Sequence, residues 1–316
     1  MQLKSRNYVW LFFSILIAVM IAAYLLNVVF NNLPAKPRSI QQANDNSDAS
    51  SYVSIRSPQG AVLLQTGVPV YIDDEFISED NTRYLVTSVD GQEAVAVPKT
   101  AAEPAAPSGG REQGPGTALP VVATNKPRHV VLYNTHTDES YLPSSGAESQ
   151  PGAGDVYQVA ATLGGALEKS GVSVSQSVNA HDPHDINAYS RSRRTVVQLL
   201  KQQPDAAFDI HRDSAPGESY VTTVNGIEVG RIMIVVGRSN PNFQTNLDFA
   251  AQIKDAADAL YPGLMRGIFI GRGDYNQDLY PTALIFEMGS QDTPIDDAFK
   301  SANCLADAVV IVLNQR

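Results

Sequence analysis

An α/β domain, with a mostly parallel sheet and helices on both faces, is the fold the sequence predicts for residues 128–316. Two observations predict it. Strand-like apolar runs alternate with segments of helical periodicity from Arg128 onward, as in a parallel sheet covered by crossover helices. Several strand-like runs also end in polar clusters, His136 to Glu139 and His211 to Asp213 among them. Strand ends of that kind face a site in many α/β sheets.

The elements follow in order. Residues 129–134 read as a strand, followed by an irregular loop to about Gly154. Asp155 stands at a helix N-cap position before Val156, Val159, Ala160, Leu163 and Leu167, and Gly171 closes that helix. Residues 172–178 read as a strand. Residues 187–203 read as a helix with Val196, Val197, Leu199 and Leu200 inward, ended by Pro204. Residues 206–210 form a strand running into His211. Within 219–237, two β runs flank Asn225-Gly226, a hairpin signal. A helix over 243–260, strands at 267–271 and 283–288, and a helix over 294–314 complete the domain.

The segments ahead of it differ in character. Residues 8–30 (YVWLFFSILIAVMIAAYLLNVVF) carry no charge and are long enough to span the roughly 30 Å apolar core of a bilayer as a helix. Lys4 and Arg6 precede the span, so residues 1–7 are expected in the cytoplasm and the remainder outside. A cleaved signal peptide is the alternative, but the apolar run is long for one and lacks a small-residue cleavage site. The expected location is therefore the cell membrane, as a single-pass protein. Residues 31–51 are polar and aperiodic, a tether. Residues 52–97 hold short β-rich runs such as 61–64, 68–72, 82–86 and 93–97, separated by turn residues, and read as a small module of about five strands. Residues 98–127 are rich in Pro, Ala and Gly, a linker.

Composition narrows the function. The 316 residues include 33 acidic and 23 basic side chains, a net charge of −10, which argues against nucleic acid as the main partner. Cys304 is the single cysteine, so neither an internal disulfide nor a cysteine-based metal site exists. Four polar features stand at strand ends: His136 with Glu139, His211-Arg212-Asp213, the run Tyr275 to Asp278, and Glu287. Strand C-terminal ends of a parallel sheet share an edge, so distant groups can converge there. Two histidines and a carboxylate form one catalytic zinc pattern, with the fourth position left to water. A further carboxylate then serves as general base. Glu287 suits that role because it interrupts an apolar strand, where a lone carboxylate costs several kcal/mol. The blander readings are a polar surface turn for residues 134–140 and an ion pair for Glu287. The tripeptide His211-Arg212-Asp213 lacks every companion motif of a kinase. His181 and His184 read as part of a turn, and Arg191, Arg193 and Arg194 as a solvated helix face.

The ordered set of motifs resembles the stage II sporulation protein P family. It comprises Thr135 to Tyr141, His181-Asp182, Tyr189 to Arg193, Asp209 to Asp213, Arg231 to Gly237, Tyr261 to Leu264, Tyr275 to Leu279 and Ala283 to Gly289, over about 129–313. That family is similar to zinc-dependent N-acetylmuramoyl-L-alanine amidases. The resemblance implies an amidase-like fold, Zn2+ as cofactor, peptidoglycan as substrate and cleavage of the amide between the MurNAc lactyl group and L-alanine. It also implies endopeptidase activity on cross-links and a glycan-cleaving partner of the stage II sporulation protein D type. Carried over by position, His136, Glu139 and His211 are the metal ligands and Glu287 is the catalytic glutamate. Glu148 is the alternative second ligand, and Arg212, Asn276, Gln277 and Asp278 are candidate substrate contacts. Asp138 stands where the family commonly has serine. The competing expectations are an inactive amidase-fold module that binds peptidoglycan or scaffolds a partner, and a zinc peptidase acting only on peptide stems.

Overall fold

The computed structural model describes residues 52–99, 127–185 and 187–316. The expected anchor at 8–30, the tether and nearly all of the linker lie outside the described residues. Among the described residues, no helix is long and apolar enough to cross a membrane.

Alternating apolar runs build one eleven-stranded sheet. Its strands are β1 (Val53–Arg56), β2 (Val62–Thr66), β3 (Glu75–Ser78), β4 (Arg83–Asp90), β5 (Glu93–Pro98), β6 (His129–Tyr133), β7 (Ser173–Gln176), β8 (Ala206–Asp213), β11 (Ile232–Gly237), β12 (Met265–Gly271) and β13 (Ala283–Ser290). A separate hairpin pairs β9 (Val221–Val224) with β10 (Ile227–Gly230) across Asn225-Gly226. The sheet order is β2-β1-β5-β4-β3-β12-β11-β13-β8-β6-β7. Among the described residues, four helices longer than one turn pack on it: α1 (Val156–Lys169), α2 (Ala188–Leu200), α3 (Phe243–Leu260) and α4 (Ile295–Asn314).

The expected mostly parallel sheet is corrected to a mixed one. Strands β6, β7, β8 and β13 run parallel, as do β11 and β12, but β11 lies antiparallel to β13. A parallel neighbour needs a crossover, usually helical. Between β8 and β11 the chain spends its residues on a 3-10 turn (Gly217–Tyr220) and the β9–β10 hairpin, with no helix. It therefore returns in the opposite direction. Helix α3 then supplies the crossover that makes β12 parallel to β11.

The two faces of the sheet are covered differently. On one, Leu132, Phe208, Ile210, Ile234 and Phe286 pack against Val159 and Leu163 of α1, Phe249 of α3, and Leu305 and Val309 of α4. On the other, α2 covers Val131, Tyr133, Ala207 and Ala283 through Val196 and Leu199. The rest of that second face, Met233, Val235, Phe269 and Ile285, is covered by Ile55, Leu64, Val70 and Phe76. Strands β1 to β5 thus curl over the second face, where a second helix beside α2 would otherwise be needed. Fully burying one side chain such as Phe269 contributes about 1.5–3 kcal/mol.

Residues 68–72, expected as a strand, form the loop between β2 and β3. Pro69 has no N–H to give a ladder, and the Tyr71 N–H donates to the Asp74 carboxylate (2.8 Å), turning the chain into β3. That loop docks closely. The Gly67 N–H donates to Asp213 Oδ1 at 2.7 Å. A Cβ on Gly67 would meet Ser214 Cβ at 2.5 Å and Ser214 O at 2.9 Å. Gly67→Val is therefore expected to lose about 1–3 kcal/mol through overpacking, read as a lower thermal midpoint. A variant as stable as the parent would mean that this approach is not tight in solution.

Candidate metal centre

The C-terminal halves of β6, β8 and β13 bring the polar residues together. After Tyr133 the chain is drawn toward β8: Asn134 Nδ2 donates to Ile210 O (2.6 Å), and the Thr135 N–H donates to Asp209 Oδ1 (2.7 Å). His136 and Glu139 follow in this loop. In β8, the period of two sets Asp209, His211 and Asp213 on the second face of the sheet. In β13, Glu287 is the direct cross-strand partner of His211.

Glu139 reaches back over β8. Its Oε2 accepts the Arg212 N–H (3.0 Å), while Oε1 lies 3.2 Å from His136 Nδ1 and 3.4 Å from His211 Nδ1. One donor atom from each of His136, Glu139 and His211 lies within 4.8 Å of the other two. Behind this trio, His211 Nε2 lies 2.9 Å from Asp209 Oδ1, though without hydrogen-bond alignment. Asp209 is fully buried and also accepts the Thr135 O–H at 2.6 Å. A carboxylate behind a ligating imidazole fixes its orientation and raises its basicity.

The electrostatics match a cation site. Burial presses the Glu139 carboxyl upward, but the His211 charge and the His136 hydrogen bond outweigh it and hold it well below the usual range. Burial presses the His211 imidazole down; Asp209 and Glu139 outweigh it and leave it well above its ordinary value. His136 is lowered, by burial first and by the neighbouring His184 second. Protons shared this way occupy the positions that a metal displaces on binding. Glu287 differs from Glu139. Burial, then the negative charge of Asp213, raises its carboxyl well above the usual range. Its Oε2 is buried without a hydrogen-bond partner, as is His136 Nε2. Two imidazoles and one carboxylate, beside a second carboxylate with an unspent oxygen, fit a zinc ion that keeps one position open.

A cavity of about 300 Å³ opens onto this group. Ile285, Glu287 and Val235 line it from the sheet, and Tyr189, Tyr275, Gly67, Val68 and Pro69 line it from the segments around the sheet. Tyr275 sits at φ 51°, a left-handed conformation unusual for its type. A Cβ on Gly237 or Gly273 would meet its ring, and one on Gly271 its hydroxyl, within 3 Å, so the three glycines make its seat.

Other residues singled out in the sequence make different contacts. Arg212 borders the cavity, but its guanidinium donates to Ser140 O (3.1 Å), Ser214 Oγ (2.9 Å) and Glu148 O (2.8 Å), clamping the loop that carries Glu139. Asn276, Gln277 and Asp278 are spent within the fold. Asn276 donates to Tyr189 O and Ser192 Oγ, Gln277 bonds the Gly237 N–H and Val235 O, and Asp278 pairs with Arg193 through two bonds. Glu148 offers its carbonyl and is outside the trio. Asp155 accepts the Tyr141 N–H (3.1 Å) rather than capping α1. His181 is buried between Asn134 O and Thr195 Oγ1.

Asp138 now has a place. Its Oδ1 lies 3.2 Å from His184 Nδ1, its Oδ2 accepts the Ser149 O–H at 2.5 Å, and His184 stacks on His136 with ring centroids 3.7 Å apart. Sequence reasoning missed Asp209, His184 and the 67–69 loop. Asp209 had a signal, an acidic residue at period two from His211 in an apolar strand. The other two had none, since their roles depend on where separate loops fold.

Residues 63–310 match the family described as Stage II sporulation protein P (SpoIIP). The Stage II sporulation protein P of Bacillus subtilis (strain 168) is 30% identical over 207 residues, which cover 60% of this chain and 52% of that relative. The chain thus spans about half the length of the curated relative it matches. Among solved structures, the CwlD amidase from Clostridioides difficile in complex with the GerS lipoprotein is similar at 11% identity and a TM-score of 0.43, over 60% of this chain and 100% of that one. The N-acetylmuramyl-L-alanine amidase Ami1 from Mycobacterium smegmatis is similar at 14% identity and a TM-score of 0.41, over 60% and 98%.

Proposed function

The chain belongs to the stage II sporulation protein P family, and from that premise we propose that it is a zinc-dependent peptidoglycan hydrolase of sporulation. Its reaction is hydrolysis of the amide between the MurNAc lactyl group and L-alanine, with cross-link endopeptidase activity as a second outlet. The carrying observation is one juxtaposition: the His136–Glu139–His211 trio beside Glu287, whose buried Oε2 has no partner.

Zinc held by His136, Glu139 and His211 would supply Lewis acidity and a more acidic water. Glu287 takes a proton from the attacking water. The water oxygen bonds to the carbonyl carbon, the C–N bond breaks, and the same proton passes from Glu287 to the leaving nitrogen. Asp209 holds the His211 ring in place, and Arg212 holds the Glu139 loop. The apolar span at 8–30 supports a membrane anchor with this domain facing the wall, and a glycan-cleaving partner of the stage II sporulation protein D type fits an enzyme that leaves glycan strands uncut.

Purified protein with stoichiometric zinc is expected to release stem peptides from sacculi, leaving an unsubstituted lactyl carboxylate that mass spectrometry identifies. Peptide fragments with every lactyl amide intact would replace this reading with a stem peptidase. No zinc and no release would replace it with a binding or scaffolding module.

A further inference from the structure

We infer that Val68 and Pro69, carried by the β2–β3 loop, are specificity-determining residues that limit the size of the side chain following the scissile amide. This rests on the amidase reading above. The loop borders the same cavity as Glu287 and the metal trio, although it lies far from them in sequence.

Its position assigns its side of the cleft. Gly67 is tied by its N–H to Asp213 (2.7 Å), the carboxylate whose charge acts on Glu287. Glu287 in turn is the cross-strand partner of His211, two residues before Asp213 on the same face of the sheet. The β2–β3 loop is therefore tied to the end of β8 that neighbours Glu287 and lines the same cavity. The leaving nitrogen takes its proton from Glu287, so the residue bearing that nitrogen lies against this wall.

The wall is stiff. Pro69 has a fixed φ, and Val68 is β-branched with few rotamers. Gly67 has no room to move toward Ser214, and Val70 is anchored in the core with Phe76 and Phe269. A stiff apolar wall admits a methyl group and excludes a branched or aromatic side chain, because it cannot retreat to make room.

The test uses two synthetic glycopeptides, one with L-alanine after the lactyl amide and one with L-leucine there. Val68→Ala is expected to raise kcat/KM for the leucine substrate relative to the alanine substrate by about 10-fold or more, mainly through KM. Val68→Leu is expected to shift the ratio the other way. Calorimetric binding of both glycopeptides to the Glu287→Gln variant, with and without Val68→Ala, should show the same shift without turnover. A ratio unchanged within about twofold in both Val68 variants, by rate and by binding, would overturn the inference. Parent protein that binds the glycopeptides yet cleaves neither would count against the amidase reading instead.

Discussion

Glu287→Gln is expected to keep zinc and lose turnover by about 10²- to 10⁴-fold. Glutamine preserves volume and a carbonyl acceptor but cannot carry a proton from water to the leaving nitrogen. The measurement pairs zinc per chain with the rate of stem-peptide release, and wild-type turnover in the variant would remove Glu287 from the mechanism. The pH profile carries a second check. Burial and Asp213 raise the Glu287 carboxyl, and the active form is the deprotonated one. Activity therefore grows as pH rises through the Glu287 value, which a bound cation holds below its metal-free position.

His211→Ala is expected to strip the metal, with zinc affinity falling by more than about 100-fold. Changes to the groups behind a ligand already cost about 10- to 100-fold, and Asp209→Asn should fall in that range. Competition with a zinc chelator measures both. A ligand that binds only the folded state raises its stability with concentration, so the zinc-dependent rise in thermal midpoint should vanish in His211→Ala. Glu139→Ala should behave like His211→Ala, whereas Glu148→Ala should keep its zinc. Parent-like zinc affinity in His211→Ala would move the ligand set elsewhere.

Much of this fold was legible because local pattern and tertiary fate agree. The helical spacing of Val156, Val159, Leu163 and Leu167 becomes the buried face of α1. His211 and Glu287 stood out because each interrupts an apolar strand, where only a partner or a function sustains a charge. The reversal of β11 was not legible, because strand direction depends on the crossover and not on the strand's own residues. Nor was the environment of Asp138. Its sequence neighbours say turn, and its partners His184 and Ser149 arrive from two other stretches of chain. The β1–β5 strands read as a small module by themselves; pairing of β3 with β12 gives their apolar face a surface to bury.

That pairing also has a consequence for timing. The cleft draws lining residues from Gly67 to Pro69, near the start of the described chain, and from Glu287, its proposed proton carrier, near the end. Strand β13 must insert between β8 and β11 before Glu287 meets His211. Such distant pairings close slowly compared with local ones. A chain still emerging, or truncated before β13, lacks the Glu287 that the proposed hydrolysis needs, so that activity is expected only when β13 is in place.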